Sequence, residues 1–281
     1  MFWRWAVAKF FGGSGMVALH IHTFKWGSMY TADDANRLYA MFQRNLTLPH
    51  QFHCSTDDVA GLRPEITAHL LPSYDFCDWD IGHGRKLEVF RKDFLGLEGQ
   101  LLVQTDIDMV LIGNVDFLAD RPEEDFLIAR GKNQARNTRG HSAIFRHRIG
   151  TRTAVWDSMV ADPATAVAVA QHFRSPPGVI SDQCWIDAKL PEVEFFKDGR
   201  IVYFRQDCNA FAKVENPRGK ARPPRGARIV SFAGRIKPEQ VMHGSYSNCR
   251  HAPFVAEHWH DGTDQPAAPP SWLQRLRNWE W

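Results

Sequence analysis

The strongest constraint on the fold lies in residues 16–55. Residues 16–22 read as a buried strand, and Thr31 is placed to cap a helix. Asp33 and Asp34 fall in its first turn, where carboxylates meet the positive end of the helix dipole, and Ala35, Leu38, Tyr39 and Phe42 recur at helical spacing. A second strand, 51–55, ends at Thr56-Asp57-Asp58. Strand, helix and strand in so short a stretch require a crossover connection, and so a parallel sheet with right-handed crossovers.

The rest of the chain extends that pattern. A helix is expected around 86–94, then an apolar strand over 100–105 that runs straight into Asp106-Ile107-Asp108. Short strands follow at 126–130 and 142–145, and a helical stretch at 154–173 is interrupted at Asp162-Pro163. Residues 199–204 and 228–232 alternate as strands, with a basic, proline-rich loop or lid at 216–226 between them. The expected fold class is α/β: one domain over 1–262, with a mostly parallel central sheet flanked by helices. Residues 263–281 read as a Pro/Ala linker and a Trp-rich terminal helix.

Composition narrows the partners. Apolar residues make up 44% and charged residues 23%, which suits a buried core. A net charge of +2 offers no surface to a polyanion, so nucleic acid is not an expected partner. Five cysteines without a C-x-x-C pair argue against a disulfide framework or zinc knuckle and fit a reduced, cytoplasmic setting. The apolar stretch 1–11, broken by Arg4 and Lys9, is too short to span a bilayer, and neither a signal peptide nor a spanning anchor is expected. The terminal helix, with Trp272, Leu273, Leu276, Trp279 and Trp281 beside Arg275 and Arg277, suits either peripheral membrane contact or packing onto the domain.

Asp106 and Asp108 are the first candidates for chemistry. Two carboxylates one residue apart at the C-terminal end of an apolar strand repel each other unless something positive lies between them. In an open α/β sheet that is also where ligands bind. Hard oxygen donors suit Mg²⁺ or Mn²⁺, which complete their shells with substrate phosphates. A solvated turn is the competing reading of the same triplet.

In this setting residues 100–118 resemble the D-x-D segment of GT-A glycosyltransferases, most of all retaining family 8 and its bacterial relatives. Further pieces resemble that family in its order. Lys25-Trp26-Gly27 and Asn36-Arg37-Leu38-Tyr39 are similar to the first strand-helix unit, whose loop holds the nucleotide. Thr56-Asp57-Asp58 resembles the second strand end, Lys86-Leu87 the basic-Leu pair, and Ile180-Ser181-Asp182-Gln183 the D-Q element. Residues 230–238 resemble its F-H-G-x-x-K-P segment.

The resemblance implies a nucleotide-sugar donor, a carbohydrate or lipid-linked acceptor, Mn²⁺ or Mg²⁺ at Asp106 and Asp108, and retention of anomeric configuration. It places Asp182 and Gln183 at the donor sugar beside the anomeric carbon. It places Lys25, Trp26, Asp58, Lys86, Ile107, Ser142, Gly234 and Lys237 around the donor, Asp58 accepting from base or ribose. Lys237 would stabilise the departing diphosphate electrostatically, and Gly234 would let the backbone approach it. Trp26 and Tyr30 would stack on a base or serve as core aromatics. Taken singly, Lys86 reads as a solvated lysine, Asp182 as a helix cap, and 234–238 as a strand-ending turn.

Two departures matter. His141 stands where the family's Asn-Ser-Gly element begins, so the match at Ser142 is poor. Ala233 replaces the family's metal-binding histidine, so the third ligand is missing or comes from elsewhere. His243 is one substitute, or else an ordinary surface or core histidine. The expectation is a metal held by the two aspartates with water and phosphates, rather than weaker metal dependence or lost activity. Ala233 also keeps open a non-catalytic nucleotide- or sugar-binding relative. Residues 106–110 also satisfy the first motif of haloacid dehalogenase-type phosphatases, with Asp106 as nucleophile, but that motif belongs on a first strand and here much α/β pattern precedes it.

Overall fold

The structure is a computed structural model that describes residues 19–73, 84–132, 138–172, 178–209, 219–232, 234 and 236–262. The expectations for the N-terminal stretch, the terminal linker and helix, and Ala233 lie outside the described residues.

The opening unit forms as its sequence dictates. Strand β1 (Leu19–Lys25) leads to helix α1 (Ala32–Asn45) and strand β2 (His50–Thr56). The Thr31 N–H donates to Asp34 Oδ2 at 2.8 Å, so the first turn is closed by its own carboxylate. Leu38, Met41 and Phe42 turn inward onto Leu19, Ile21 and Phe52. Every residue of β1 is buried, as expected of a strand covered on both faces.

Strands β3 (Thr67–Leu70), β4 (Leu101–Thr105), β6 (Phe126–Arg130), β7 (Gly140–Arg148) and β8 (Glu194–Phe195) complete a seven-stranded sheet ordered β3-β2-β1-β4-β7-β6-β8. All neighbours pair in parallel except at β7, which runs antiparallel to both β4 and β6. The fold is therefore mixed α/β with a mostly parallel central sheet, as expected. A second, three-stranded sheet joins β5 (Met109–Leu111), β10 (Ile229–Ser231) and β9 (Ile201–Tyr203).

One face of the large sheet packs on α1 and the small sheet; the other packs on residues 84–90, α2 (Ala154–Ala161) and α4 (Asp182–Lys189). Helix α3 (Pro163–His172) follows α2 across the break at Asp162-Pro163, as expected. Two short helices, α5 (Pro238–Met242) and α6 (Pro253–His258), close the described part.

Two local expectations are corrected. The helix expected at 86–94 is a 3₁₀ helix over Gly84–Phe90 and another over Phe94–Gly96. Its hydrogen bonds reach back three residues (Arg91 N–H to Glu88 O, 2.9 Å), and Leu95 turns left-handed at φ 54°, which breaks any α-helical run. The strand expected at 199–204 stops at Tyr203 and enters a π-helical turn, Phe204–Cys208, because the Asp207 carboxylate curls back to accept the Tyr203 N–H at 2.8 Å.

Beneath β1, β2 and β3 the sheet carries a polar layer that periodicity did not reveal. His20 Nδ1 lies 2.9 Å from His53 Nε2, and His53 Nδ1 lies 3.0 Å from His69 Nε2. His22 meets Gln104 Oε1 at 2.6 Å and Ser55 Oγ at 2.8 Å. Burial pushes His22 and His53 down to about 3, so both rings are neutral in the fold.

Candidate functional site

The strand order locates the site. The chain winds outward from β1 to β2 and β3, then returns to the other side of β1 as β4. The winding thus reverses between β1 and β4, and the crevice outside their carboxyl ends is where open α/β sheets bind ligands. Lys25 ends β1 there, and Thr105 ends β4.

Asp106-Ile107-Asp108 is the junction of the two sheets. The Asp106 N–H still pairs with Ala143 O of β7 at 2.7 Å, while Asp108 O accepts from the Phe232 N–H at 3.1 Å beside β10. Ile107 turns into the core at 2% exposure, which directs the two neighbouring carboxylates the other way. The alternation that makes D-x-D a strand-end motif therefore presents both acids to the crevice.

Each carboxylate meets a lysine delivered from elsewhere. Lys86, on the 3₁₀ helix, places Nζ 2.7 Å from Asp106 Oδ1 and 2.8 Å from Asp182 Oδ2, with only 8% of its side chain exposed. Lys237, immediately before α5, places Nζ 2.8 Å from Asp108 Oδ2 and 4.4 Å from the centre of the Tyr30 ring. The Tyr30 hydroxyl donates to the same Asp108 oxygen at 2.7 Å and accepts from Lys237. Asp182 opens α4, where Ser181 caps the helix by accepting from the Cys184 N–H.

The electrostatics follow from that packing. Burial, aided by Asp108 and Asp182, raises the Asp106 carboxyl to about 6 against the pull of Lys86. Burial alone would lower Lys86, but Asp106 and Asp182 more than offset it and hold the ammonium above its usual range. Tyr30 is raised by burial and by the charge and hydrogen bond of Asp108, so its phenol stays a donor. Three carboxylates against two ammoniums leave the cluster one negative charge in excess.

Other candidates sit around this core. Gln183, buried beside Asp182, donates its amide to Thr138 Oγ1. Ser142 is buried on β7 next to Ala143, the residue that holds the Asp106 main chain. Trp26 is partly exposed and meets Phe24 edge-on with centroids 6.0 Å apart. Gly234 is exposed at φ 104°, in the left-handed half of backbone space that glycine enters at least cost.

Some expectations separate from the cluster. Asp58 is exposed and caps its own turn, its Oδ1 accepting from the Ala60 N–H at 2.9 Å. Its neighbour Asp57 faces the loop after β1 instead, accepting from the Gly27 N–H at 2.7 Å with Lys25 at 3.8 Å. His243 is exposed, with no contact to either aspartate. Sequence reasoning missed Asp57 and the phenol of Tyr30; a polar tip on an aromatic near a site is the signal that could have found the latter.

Among the described residues, no group of three or more His, Cys, Asp or Glu side chains is placed to hold a metal ion. Nor is any described helix long and apolar enough to cross a membrane. Comparison with known protein families finds no match, and no curated protein matches the chain.

Proposed function

We propose that this chain is a glycosyltransferase that moves a sugar from a nucleoside-diphosphate donor to a carbohydrate or lipid-linked acceptor, with Mn²⁺ or Mg²⁺ at Asp106 and Asp108. One observation carries the reading. Two acids at the switch-point crevice are each held by a lysine, yet the cluster remains net negative. That excess repels a diphosphate unless a cation accompanies it. A divalent ion reverses the excess, from one negative charge to one positive.

The donor set fits a small, hard cation. Asp106 Oδ1 is taken by Lys86 and Asp108 Oδ2 by Lys237 and Tyr30, which leaves one carboxylate oxygen on each aspartate for a metal. Mg²⁺ and Mn²⁺ are commonly held by one or two carboxylates with phosphate and water completing the shell, so two aspartates suffice without a histidine at Ala233. The bound ion would neutralise the diphosphate leaving group as the sugar departs.

The chain's own residues supply the rest. Lys237 is positioned to exchange Asp108 for a phosphate oxygen, and the open backbone at Gly234 leaves room for that approach. Lys86 ties Asp106 to Asp182, so the cation-holding and sugar-facing sides keep a fixed relation. Asp182 and Gln183 would contact the donor sugar. The mostly parallel sheet with its switch point at β1 and β4 agrees with the GT-A-like architecture that the motifs resemble.

Titration of nucleoside diphosphates with and without Mn²⁺ tests the proposal, followed by donor hydrolysis. Asp108→Asn should abolish metal-dependent nucleotide binding while the chain stays folded. Nucleotide binding by that variant with the same metal dependence as the parent refutes the site. Tight binding without turnover of any donor would instead indicate a non-catalytic relative.

A further inference from the structure

A second cleft, of about 800 Å³, lies on the α2 and α4 side of the sheet near the β6 and β8 edge. Its lining includes Thr138, whose hydroxyl accepts the Gln183 amide, so one hydrogen bond joins the cleft to the residue beside Asp182. Resting on the transferase reading, we propose that this cleft is the acceptor subsite and that it takes a neutral carbohydrate.

The lining decides the ligand class. Three guanidiniums face the cleft, and two are already committed. Arg139 donates to the Asp187 carboxylate and to the carbonyls of Asp187 and Leu190. Arg130 donates to Asp198 and stacks on the Phe195 ring at 4.0 Å. Arg152 differs: it lies over the Phe126 ring at 5.4 Å, and the single hydrogen bond of its guanidinium among the described residues is a long one, 3.4 Å, to the adjacent Thr151 hydroxyl. Its backbone holds φ 54°, a left-handed conformation that is uncommon for a non-glycine residue and concentrates at binding sites.

Glu124, Glu192 and Glu194 line the same cleft, so an anion would meet as many carboxylates as guanidiniums. A hydroxyl both donates and accepts, and a polyol can satisfy both kinds of group at once. The Arg130 guanidinium over the Phe195 ring offers a planar surface for a sugar ring. Size agrees as well, since ligand clefts commonly fall between roughly 300 and 1,000 Å³.

The test is saturation-transfer NMR of the whole chain with cellobiose, maltotriose and N,N′-diacetylchitobiose, with and without a nucleoside diphosphate and Mn²⁺. At least one saccharide should bind, and the nucleotide should not displace it. Arg152→Gln should weaken that binding roughly tenfold with an unchanged melting temperature, and Glu192→Gln, in the same lining, should weaken it independently. Failure of all three saccharides to bind, displacement by the nucleotide, or unaltered binding in both variants would overturn the proposal. The two readings fail separately. Donor hydrolysis without saccharide binding removes the cleft and keeps the transferase; saccharide binding without nucleotide binding does the reverse.

Discussion

Replacing Lys86 by methionine keeps the unbranched side chain to within one atom of its length and removes its charge from between two acids. In the parent, Nζ lies 2.7 Å from Asp106 and 2.8 Å from Asp182, whose side chain is only 4% exposed. Breaking a buried ion pair by removing one partner costs about 3–5 kcal/mol, because the remaining charge is stranded away from water. Asp182 should carry most of that cost, since Asp106 keeps a quarter of its side chain in contact with solvent. The loss must also depend on pH. Without the lysine, the folded-state pKa of the stranded acids rises above their unfolded value. The unfolded chain then binds fewer protons than the folded one, and stability falls as pH rises, by up to ~1.4 kcal/mol per unit for each group. Urea unfolding followed by tryptophan fluorescence should therefore show a small deficit at pH 5 and the full one at pH 8. Adding Asp182→Asn removes the stranded charge and should recover more than half of the deficit, a coupling that a double-mutant cycle measures. A deficit below about 1 kcal/mol at pH 8, or no recovery in the double variant, would refute the buried-cluster account.

Three further outcomes follow from the same physics. His22 and His53 titrate near 3 in the fold against 6.5 ordinarily, so the unfolded chain binds more protons below pH 6.5. Stability should be complete above that pH and fall by up to ~3 kcal/mol per unit as the solution is acidified; urea midpoints that stay level from pH 7 to 5 would contradict it. Burial and the neighbouring Asp34 raise Glu239 to about 7 from 4.5, the reverse case, in which stability declines as pH rises through that window. Glu239→Gln should remove that contribution, so melting temperature rises more between pH 5 and 8 in the variant than in the parent. Tyr30→Phe keeps the ring beneath Lys237 but strips Asp108 of a donor, which should cost roughly 1–2 kcal/mol and weaken Mn²⁺-dependent nucleotide binding; unchanged Mn²⁺ affinity would show that the phenol does not shape the site.

The sequence by itself determined the features that depend on a few adjacent residues. Thr31 with Asp34 marks the start of α1, the apolar run before Asp106 marks β4, and the break at Asp162-Pro163 separates α2 from α3. Strand-helix-strand spacing was enough to call for a mostly parallel sheet. The alternation around Ile107 was also enough to turn two acids in one direction.

Only the tertiary structure decided what those acids meet. Lys86 reads locally as a solvated lysine, and it is buried because Asp106, 20 positions on, and Asp182 on another helix compensate its charge. Tyr30 lies 78 positions from Asp108, and Lys237 lies 129. Asp57 and Asp58 are adjacent and chemically alike, and only the path of the loop after β1 decides which one faces it. The histidines beneath β1 to β3 have no local signature either, since a ring stays neutral only when other strands bury it. Periodicity and capping act over one or two turns of chain, whereas the charge state of a buried group is set by whatever folding brings within a few ångströms.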